Sequence, residues 1–276
     1  MARILAISSY VAHGHVGLSA IVPALQAMGH EVIAVPTVVL SSHYGYGQVN
    51  GFDLDSGQLG GILDALVGNG WLDTVDAVMT GYMPSAGIVD DLARVLGRLG
   101  EAEPELFYLC DPVLGDDPGG LYVGNEVAAA IRDMLVPLAD VITPNRFELQ
   151  WLSGVPVTDA ASADAAAEVI GADLLAATSI PAGAGLIANV LSTEDMAGQA
   201  RHPLLKGVPH GTGDLFAALL LGHLLNDLDH SEALARASAG VDLVVRESLG
   251  LSEMRLVAHL QRAVSATPAP LEPITS

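Results

Sequence analysis

Short apolar runs alternate with longer segments of helical periodicity along most of this chain. The first apolar run, at residues 3–7, precedes a helical segment at 17–28, and the same order recurs further on. Strands that alternate with helices predict βαβ units and a mostly parallel sheet. Such a sheet needs helices on both faces, so the pattern indicates an α/β fold with three layers. Ligands of such folds bind at the carboxyl ends of the strands.

The alternation is typical of the first two thirds of the chain. The predicted strands cover residues 3–7, 31–35, 76–79, 106–110 and 140–142. The predicted helices cover residues 17–28, 56–68, 85–99, 124–136, 146–153 and 162–171. Three further runs at 173–178, 186–191 and 196–202 are joined by tight turns, which predicts an antiparallel edge to the sheet.

The last third of the chain changes character twice. After Gly211 it is mostly helical as far as Ala263. From Pro268 it is rich in proline, so we expect residues 266–276 to form a disordered tail. No internal repeat and no linker divides the rest, which predicts a single domain over residues 1–265.

Composition excludes several classes of partner and site. The 276 residues carry a net charge of −21 with Lys206 as the one lysine, so no basic patch is available for nucleic acid or an anionic membrane. A single cysteine, Cys110, excludes an internal disulfide and a cysteine-rich zinc site. No signal peptide and no apolar run of membrane-spanning length is visible, which predicts a cytoplasmic protein.

The segment from His210 to Ala218 is the strongest candidate for chemistry. Two glycines, Gly211 and Gly213, precede an apolar helix, where free N–H groups and the helix dipole favour an anion. Thr212 adds a hydroxyl, and Asp214 could accept a proton from a substrate hydroxyl. The alternative is an ordinary helix start with an acidic first turn.

Two further segments follow predicted strands and carry acidic side chains. In Cys110–Asp116, Asp111 and Asp116 lie five positions apart in a loop shaped by proline and glycine, which suits Mg²⁺ and phosphate but equally suits a plain turn. In Thr143–Glu148, Asn145 and Glu148 have the spacing of a capping box. The functional alternative places Glu148 in the same cleft as Asp111, where it would hold a metal through water.

Polar and glycine-rich segments also follow the other strands. Ser9–Gly17 lacks the dinucleotide-binding fingerprint, and its two histidines, His13 and His15, have no evident metal-ligand partner, so we interpret them as loop residues. Gly81-Tyr82 could pack over a flat ring or be structural. The run 41–47, rich in glycine and tyrosine, is typical of a mobile loop over a site.

Together these motifs closely resemble the pyridoxal kinases of the ribokinase superfamily, from about residue 3 to about residue 245. The Gly-Thr-Gly-Asp element at 211–214 is shared by the superfamily. The opening Ser9…Gly14…Gly17 and the loop Asp-Pro-Val-Leu-Gly-Asp at 111–116 resemble the vitamin B6 branch. The resemblance implies a ribokinase-like sandwich that transfers the γ-phosphate of ATP to the 5′-hydroxymethyl group of pyridoxal, pyridoxine and pyridoxamine.

The resemblance also implies roles for individual residues. Asp214 matches the catalytic base, and Gly211, Thr212 and Gly213 match the anion hole. The residues that match the vitamin pocket are Ser9, Val38, Tyr44, Gly45, Tyr82 and Asp214. The residues that match the ATP and metal side are Asp111, Asp116, Thr143, Glu148, Thr178, His202, Pro203, Leu204 and Leu205, with Asp111, Asp116, Thr143 and Glu148 nearest the metal.

The family further suggests Mg²⁺, a monovalent cation such as K⁺, and a homodimer. Four positions depart from its common pattern, namely Leu18, Ser42, Tyr44 and Thr178. Two other functions stay open on the sequence: a kinase of hydroxymethylpyrimidine with the same fold, and a non-catalytic B6-binding protein. The intact Asp214 and its glycines favour an enzyme over the second of these.

Overall fold

The alternating apolar runs form the strands and helices of an α/β structure. The computed structural model describes residues 1–274. Its strands are β1 (Arg3–Val11), β2 (Glu31–Leu40), β3 (Gly51–Asp53), β4 (Ala77–Thr80), β5 (Phe107–Cys110), β6 (Gly115–Asp116), β7 (Gly120–Leu121), β8 (Val141–Ile142), β9 (Leu174–Pro181), β10 (Leu186–Thr193), β11 (Ala197–Pro203) and β12 (Leu271–Pro273). Its α-helices are α1 (Leu18–Ala27), α2 (Ser56–Gly68), α3 (Ala86–Ala102), α4 (Asn125–Ala130), α5 (Arg146–Ser153), α6 (Ala160–Ile170), α7 (Thr212–Leu224), α8 (His230–Ser248) and α9 (Leu256–Val264).

Ten strands form one sheet in the order β12-β11-β10-β9-β8-β5-β4-β1-β2-β3. The six central strands from β9 to β2 are parallel. Strands β10, β11 and β12 continue the sheet in antiparallel fashion at one edge, and β3 does so at the other. The α/β fold and its antiparallel edge are therefore confirmed, while the short hairpin β6-β7 lies outside the large sheet.

The sheet is buried on both faces because its side chains alternate between two apolar clusters. In β1, Leu5 and Ile7 pack into the cluster that holds helices α2 to α6, whereas Ile4 and Ala6 pack into the cluster of α1, α7, α8 and α9. All four are fully buried. Successive residues of a strand point to opposite faces, so a strand covered on both faces is apolar throughout. The result is the predicted three-layer arrangement.

Most predicted elements are present, with shifted ends. The helices predicted at 56–68 and 146–153 have these bounds in the structure. The helix predicted at 124–136 divides into α4, a π-helical turn at Ile131–Leu135 and a 3₁₀ turn at Val136–Leu138. Pro137 lacks the N–H that an α-helix needs, which accounts for the change at its end. Strand β2 passes through Pro36, where β3 no longer pairs and a missing N–H is tolerated.

The predicted disordered tail is wrong for residues 266–274. Strand β12 pairs antiparallel with β11, the Ala269 amide donates to the Ala235 carbonyl (3.0 Å), and the Ala266 carbonyl accepts from Arg236 (3.3 Å). Prolines are compatible with an edge strand, where one side needs no partner. Composition therefore could not distinguish this strand from disorder. Residues 275 and 276 of the predicted tail lie outside the described part of the chain.

Within residues 1–274, no helix combines the length and apolar character needed to cross a bilayer.

Truncation after Ser265 tests the strand at the tail. We expect it to lower the free energy of unfolding by about 4 kcal/mol or more, because at least four hydrogen bonds of about 1 kcal/mol each are lost besides the pairing of β11 with β12. Urea denaturation followed by circular dichroism measures the change. An unchanged midpoint and slope would show that β12 adds nothing to stability.

Candidate active site

The predicted site residues meet at the carboxyl ends of the parallel strands. Ser9 lies at an irregularity of β1, where the register with β2 shifts between Ser8 and Tyr10. Asp111 directly follows β5, and Thr143 directly follows β8. A bulge can re-aim a side chain beside an active site, and the ends of parallel strands are the usual ligand site of such sheets.

Helix α7 begins at this edge with the predicted anion site. Its N-cap, Gly211, has a φ of 94°, and a Cβ there would overlap the carbonyl oxygen of His15. Only glycine fits such a conformation and such a close approach. Nothing lies within 4 Å of a Cβ built on Gly213, so the first turn of α7 is open on that side. The unpaired N–H groups of the turn can therefore face a bound anion.

Asp214 lies in the first turn of α7. The backbone N–H groups of Gly17 and of Asp214 itself stabilise its carboxylate, while burial raises its pKa to about 6. Gly17 has a φ of 54° and packs directly against Ser9, where a Cβ would overlap both oxygens of that serine. The loop after β1 and the start of α7 therefore converge on one carboxylate. With a pKa of about 6 it is ionised at neutral pH and can accept a proton.

Asp111 and Thr143 form a buried pair next to Asp214. The Thr143 hydroxyl donates to the Asp111 carboxylate at 2.9 Å, and both residues are buried. Burial, together with the nearby Asp214 carboxylate, raises the pKa of Asp111 to about 8. No ion pair in residues 1–274 includes Asp111. Buried charges are usually paired or bind metals, so this carboxylate is suited to a cation.

Glu148 fulfils the predicted capping box and also reaches the loop after β5. Its carboxylate accepts from the backbone of Asn145 (2.8 Å), Leu114 (2.9 Å) and Gly115 (3.3 Å). Asn145 accepts from the Glu148 amide (3.0 Å) and donates to the Gly115 carbonyl (2.7 Å). Burial and the Asp111 charge raise the pKa of Glu148 well above its usual range. The sequence analysis gave the capping box and the position near Asp111 as alternatives for Glu148. The structure shows that the same carboxylate does both.

The donor set fits Mg²⁺ better than a protein-only metal cage. In the described part of the chain, no three His, Cys, Asp or Glu side chains converge on one point. Asp116 belongs to β6 and lies beside Tyr122 and Gly119 within the β6-β7 hairpin. Mg²⁺ commonly uses one or two carboxylates, waters and substrate phosphates, which is the set that Asp111 and Glu148 can offer.

The predicted vitamin pocket is lined by an apolar cluster and two tyrosines. Val38 is fully buried beside Val11 and Leu40, and Tyr82 packs against them. Burial, with Tyr44 and Asp53 nearby, raises the pKa of Tyr82 to about 12. Tyr44 is 63% exposed, so this side of the pocket is open to solvent.

Two hydroxyl residues that hold Tyr82, and one acid near its ring, were not predicted. The Ser8 hydroxyl accepts from the Tyr82 amide (3.2 Å), and the Thr37 hydroxyl donates to the Tyr82 carbonyl (2.8 Å). Asp53 belongs to β3, a strand that the sequence analysis did not find. The sequence offered one sign of Ser8 and Thr37, because each places a hydroxyl group in or next to an apolar run.

The remaining predicted nucleotide residues lie in β9 (Thr178), in β11 (His202 and Pro203) and directly after β11 (Leu204 and Leu205). The Thr178 amide donates to the Pro144 carbonyl (2.9 Å), so Thr178 lies beside the Thr143–Glu148 segment. His202 is half-buried, and burial lowers its pKa; Asp242 and Arg246 of α8 are the charges that face it. Leu204 is exposed. The part of the chain described by the structure has no hydrogen bond from 202–205 to Asp111, and the nucleotide role of this segment stays a prediction.

Asn145→Ala tests whether the α5 cap holds the acidic loop. We expect it to lower the free energy of unfolding by about 2 kcal/mol, about 1 for the cap and about 1 for the lost bond to Gly115. Asp159→Ala is the matched control, because Asp159 caps α6 in the same way without a contact to this loop. Urea denaturation should give a smaller loss, about 1 kcal/mol, for that control. Equal losses would contradict the role of the Gly115 contact.

Known proteins share this sequence and this geometry. The family model described as phosphomethylpyrimidine kinase matches residues 13–258. A pyridoxal kinase of Corynebacterium diphtheriae is 38% identical over 272 residues, which cover 95% of each chain. One from Rubrobacter xylanophilus is 39% identical over 272 residues, 95% of this chain and 94% of the relative.

Solved structures agree over the whole length. The pyridoxal kinase of Leishmania donovani, in complex with ADP and pyridoxamine, superposes with a TM-score of 0.93 at 31% identity and covers 100% of both chains. The pyridoxal kinase of Entamoeba histolytica also gives 0.93, at 26% identity, and covers 99% of this chain and 100% of its own. The fold is that of the ribokinase-like kinases, and the chain belongs to the pyridoxal kinase family.

Proposed function

We propose that this chain transfers the γ-phosphoryl group of ATP to the 5′-hydroxymethyl group of pyridoxal, and of pyridoxine and pyridoxamine. The observation that carries the proposal is the position of Asp214. It lies at the open N-terminus of α7, next to the buried Asp111–Thr143 pair. The names of the relatives, and the ADP and vitamers bound in the Leishmania donovani structures, support the same reaction.

The chain's own residues would divide the work of a phosphoryl transfer. The substrate hydroxyl oxygen forms a bond to the γ-phosphorus while the bond from that phosphorus to the β–γ bridging oxygen breaks, and ADP leaves. Asp214 accepts the hydroxyl proton, and the N–H groups of Gly211, Thr212 and Gly213 stabilise the charge on the transferred group. In a chain with one lysine, backbone dipoles replace the cationic side chains that would otherwise do so.

Mg²⁺ is proposed as the metal, because the donor set fits it. Asp111 and Thr143 would lie nearest the ion. Glu148, whose carboxylate already accepts three backbone N–H groups, would reach it through water. Asp116, at the end of β6, is also proposed on the metal side. When bound, the ion neutralises phosphate charge.

The remaining binding roles follow the same division of the site. For the vitamer we propose Ser9, Val38, Tyr44, Gly45 and Tyr82, supported by the apolar cluster around Val38 and the ring of Tyr82. For the nucleotide we propose Thr178, His202, Pro203, Leu204 and Leu205. K⁺ is proposed as the monovalent cation on the family resemblance, and its omission from the assay tests it.

Assembly and location are proposals of the same kind. We propose a homodimer in the cytoplasm, and one kinase domain that comprises the predicted residues 1–265 together with strand β12. We propose no nucleic-acid partner for a chain of charge −21. The ten-stranded sheet, which takes strands from residues 3 to 273, supports the single domain. Sedimentation equilibrium tests the dimer.

A second candidate is phosphorylation of a hydroxymethylpyrimidine. The observation in its favour is the family model over residues 13–258, whose description names phosphomethylpyrimidine kinase. ADP release from Mg-ATP and K⁺ separates the candidates when pyridoxal, pyridoxine, pyridoxamine and hydroxymethylpyrimidine are compared. Turnover on the pyrimidine alone would replace the proposal. Tight pyridoxal binding without turnover would favour a non-catalytic B6-binding protein.

Asp214→Asn tests the catalytic base. The amide keeps the shape of the carboxylate but cannot accept the proton, so we expect kcat to fall about 100-fold or more. Affinity for pyridoxal, measured by isothermal titration calorimetry, should stay within about threefold, or 0.7 kcal/mol. A variant with near-native kcat would contradict this role for Asp214.

The pH dependence of turnover follows from the same group. Burial raises the pKa of Asp214 to about 6, so its carboxylate is ionised above that pH and protonated below it. We therefore expect kcat/KM to fall as the pH drops through about 6. If kcat/KM falls at the same pH with pyridoxal and with pyridoxine, the titrating group belongs to the enzyme and not to the substrate. A profile that is flat from pH 7 to pH 5 would contradict the assignment.

A further inference from the structure

Four loops are joined by a polar cluster that lies outside the reaction described above. They are the β2–β3 loop at 41–50, the β1–α1 loop at 12–17, the loop 204–210 before α7, and the α8–α9 connection at 249–255. The cluster consists of His43 and Tyr46, His210, and Glu253. We call these four residues the latch.

Glu253 is the carboxylate of the latch, and its side chain is 19% exposed. One oxygen accepts from the Tyr46 hydroxyl, and the other accepts from the His15 amide at 3.3 Å. His13 also faces it, with 3.9 Å from Nε2 to the carboxylate. Gly14 has a φ of 98°, and a Cβ there would lie 2.5 Å from the carboxylate. The Glu253 carboxylate therefore binds two loops, with one oxygen on the loop 41–50 and the other on the loop 12–17.

The two histidines extend the contact to the start of α7. The rings of His43 and His210 lie 4.3 Å apart, and those of His43 and Tyr46 lie 4.7 Å apart. The Gly45 amide donates to His43 Nδ1 at 3.0 Å, which fixes that nitrogen as the acceptor. A Cβ at Gly45 would lie 2.7 Å from His43 and 3.3 Å from His210. The backbone at Gly45 is thereby held against both rings.

The connection that carries Glu253 also supports the anion site. Its next residue, Met254, is buried, and a Cβ at Gly211 would lie 2.9 Å from its methyl group. In the same connection the Gly250 amide donates to the Gly207 carbonyl at 3.3 Å. One short segment therefore contacts both the vitamin-side loop and the turn proposed to hold the phosphoryl group.

We propose that Glu253 is a positioning residue for the vitamer, which holds loop 41–50 beside the pocket through the Tyr46 hydroxyl. The inference rests on the proposed function, since Tyr44 and Gly45 are the pocket residues that the loop carries. Glu253 acts through Tyr46 and His15 and does not itself touch the reacting atoms. Displacement of the loop would weaken vitamer binding and leave the phosphate side in place.

Two small changes test the latch. Tyr46→Phe removes one oxygen and keeps the ring on His43. Glu253→Gln keeps the shape of the side chain, but its NH₂ group cannot accept a hydrogen bond and would face either the Tyr46 hydroxyl or the His15 amide. We expect each to raise the KM for pyridoxal about tenfold, because a charge-assisted hydrogen bond is lost. The KM for ATP and kcat should change by less than about twofold, or 0.4 kcal/mol.

Glu247→Gln is the matched control. It removes one carboxylate charge from α8, where Glu247 pairs with Arg262 at 3.1 Å, away from the latch. We expect native KM values for it. Circular dichroism checks that each variant folds, and if Glu253→Gln does not fold, Tyr46→Phe carries the test. Equal rises in KM for pyridoxal and ATP, or a rise in the control, would overturn the proposal.

The double variant Tyr46→Phe, Glu253→Gln tests whether the two side chains act as one contact. Residues in one contact have non-additive effects, so we expect the double variant to resemble either single variant. A rise in KM equal to the product of the single rises would overturn the proposal.

Two measurements separate this proposal from the proposed function. Amide hydrogen exchange of the free protein should be faster at 43–50 in both latch variants and unchanged in Glu247→Gln. Calorimetry should give a Kd for pyridoxal about tenfold higher in both variants. If both variants show these changes but the wild type has no turnover, the proposed kinase function would be overturned and the latch proposal would be supported. Native exchange and native Kd would overturn the latch even where the wild type is active.

Discussion

Three carboxylates at the carboxyl edge of the sheet, those of Asp111, Glu148 and Asp214, are held without a lysine or arginine partner in residues 1–274. Burying such charges is costly unless hydrogen bonds or a cation offset it. The chain supplies hydrogen bonds, from backbone N–H groups to Glu148 and Asp214 and from the Thr143 hydroxyl to Asp111. Burial still raises the pKa of Asp111 to about 8 and that of Glu148 well above its usual range, so both favour the protonated form at neutral pH. A bound cation would favour their ionised forms, and the raised pKa values therefore mark a site suited to a cation.

The same constraint explains how an acidic chain can serve a phosphoryl transfer. A net charge of −21 repels ATP in general, yet the first turn of α7 presents unpaired N–H groups at one point. The glycines at 211 and 213 keep that point free of side chains, and the conformation of Gly211 brings it against His15. The α8–α9 connection then links this turn to the loop on the vitamin side through Met254 and Glu253. Phosphate and vitamer sites are thus held by one set of loops.

Much of the fold was predictable because its signals are local. Helices α2 and α5 have the predicted bounds, since their caps, Asp55 and Asn145, lie next to apolar segments of helical period. Strands β3 and β12 were missed, because three-residue edge strands have no period to detect. The cap formed by Glu148 was predicted, but its bonds to Leu114 and Gly115, about 33 residues away, were not, since spacing along the chain says nothing about distant contacts.

By itself the sequence determined the alternation of strands and helices, the open glycine turn before Asp214, and the motifs that identify the family, because each depends on residues a few positions apart. Only the tertiary structure decided which side chains meet. It brought Asp111 to Thr143 across 32 residues and Tyr46 to Glu253 across 207, and it buried the acids that a solvated loop would have left with ordinary pKa values. Such contacts depend on the packing of two apolar clusters against both faces of one sheet, which local spacing does not encode.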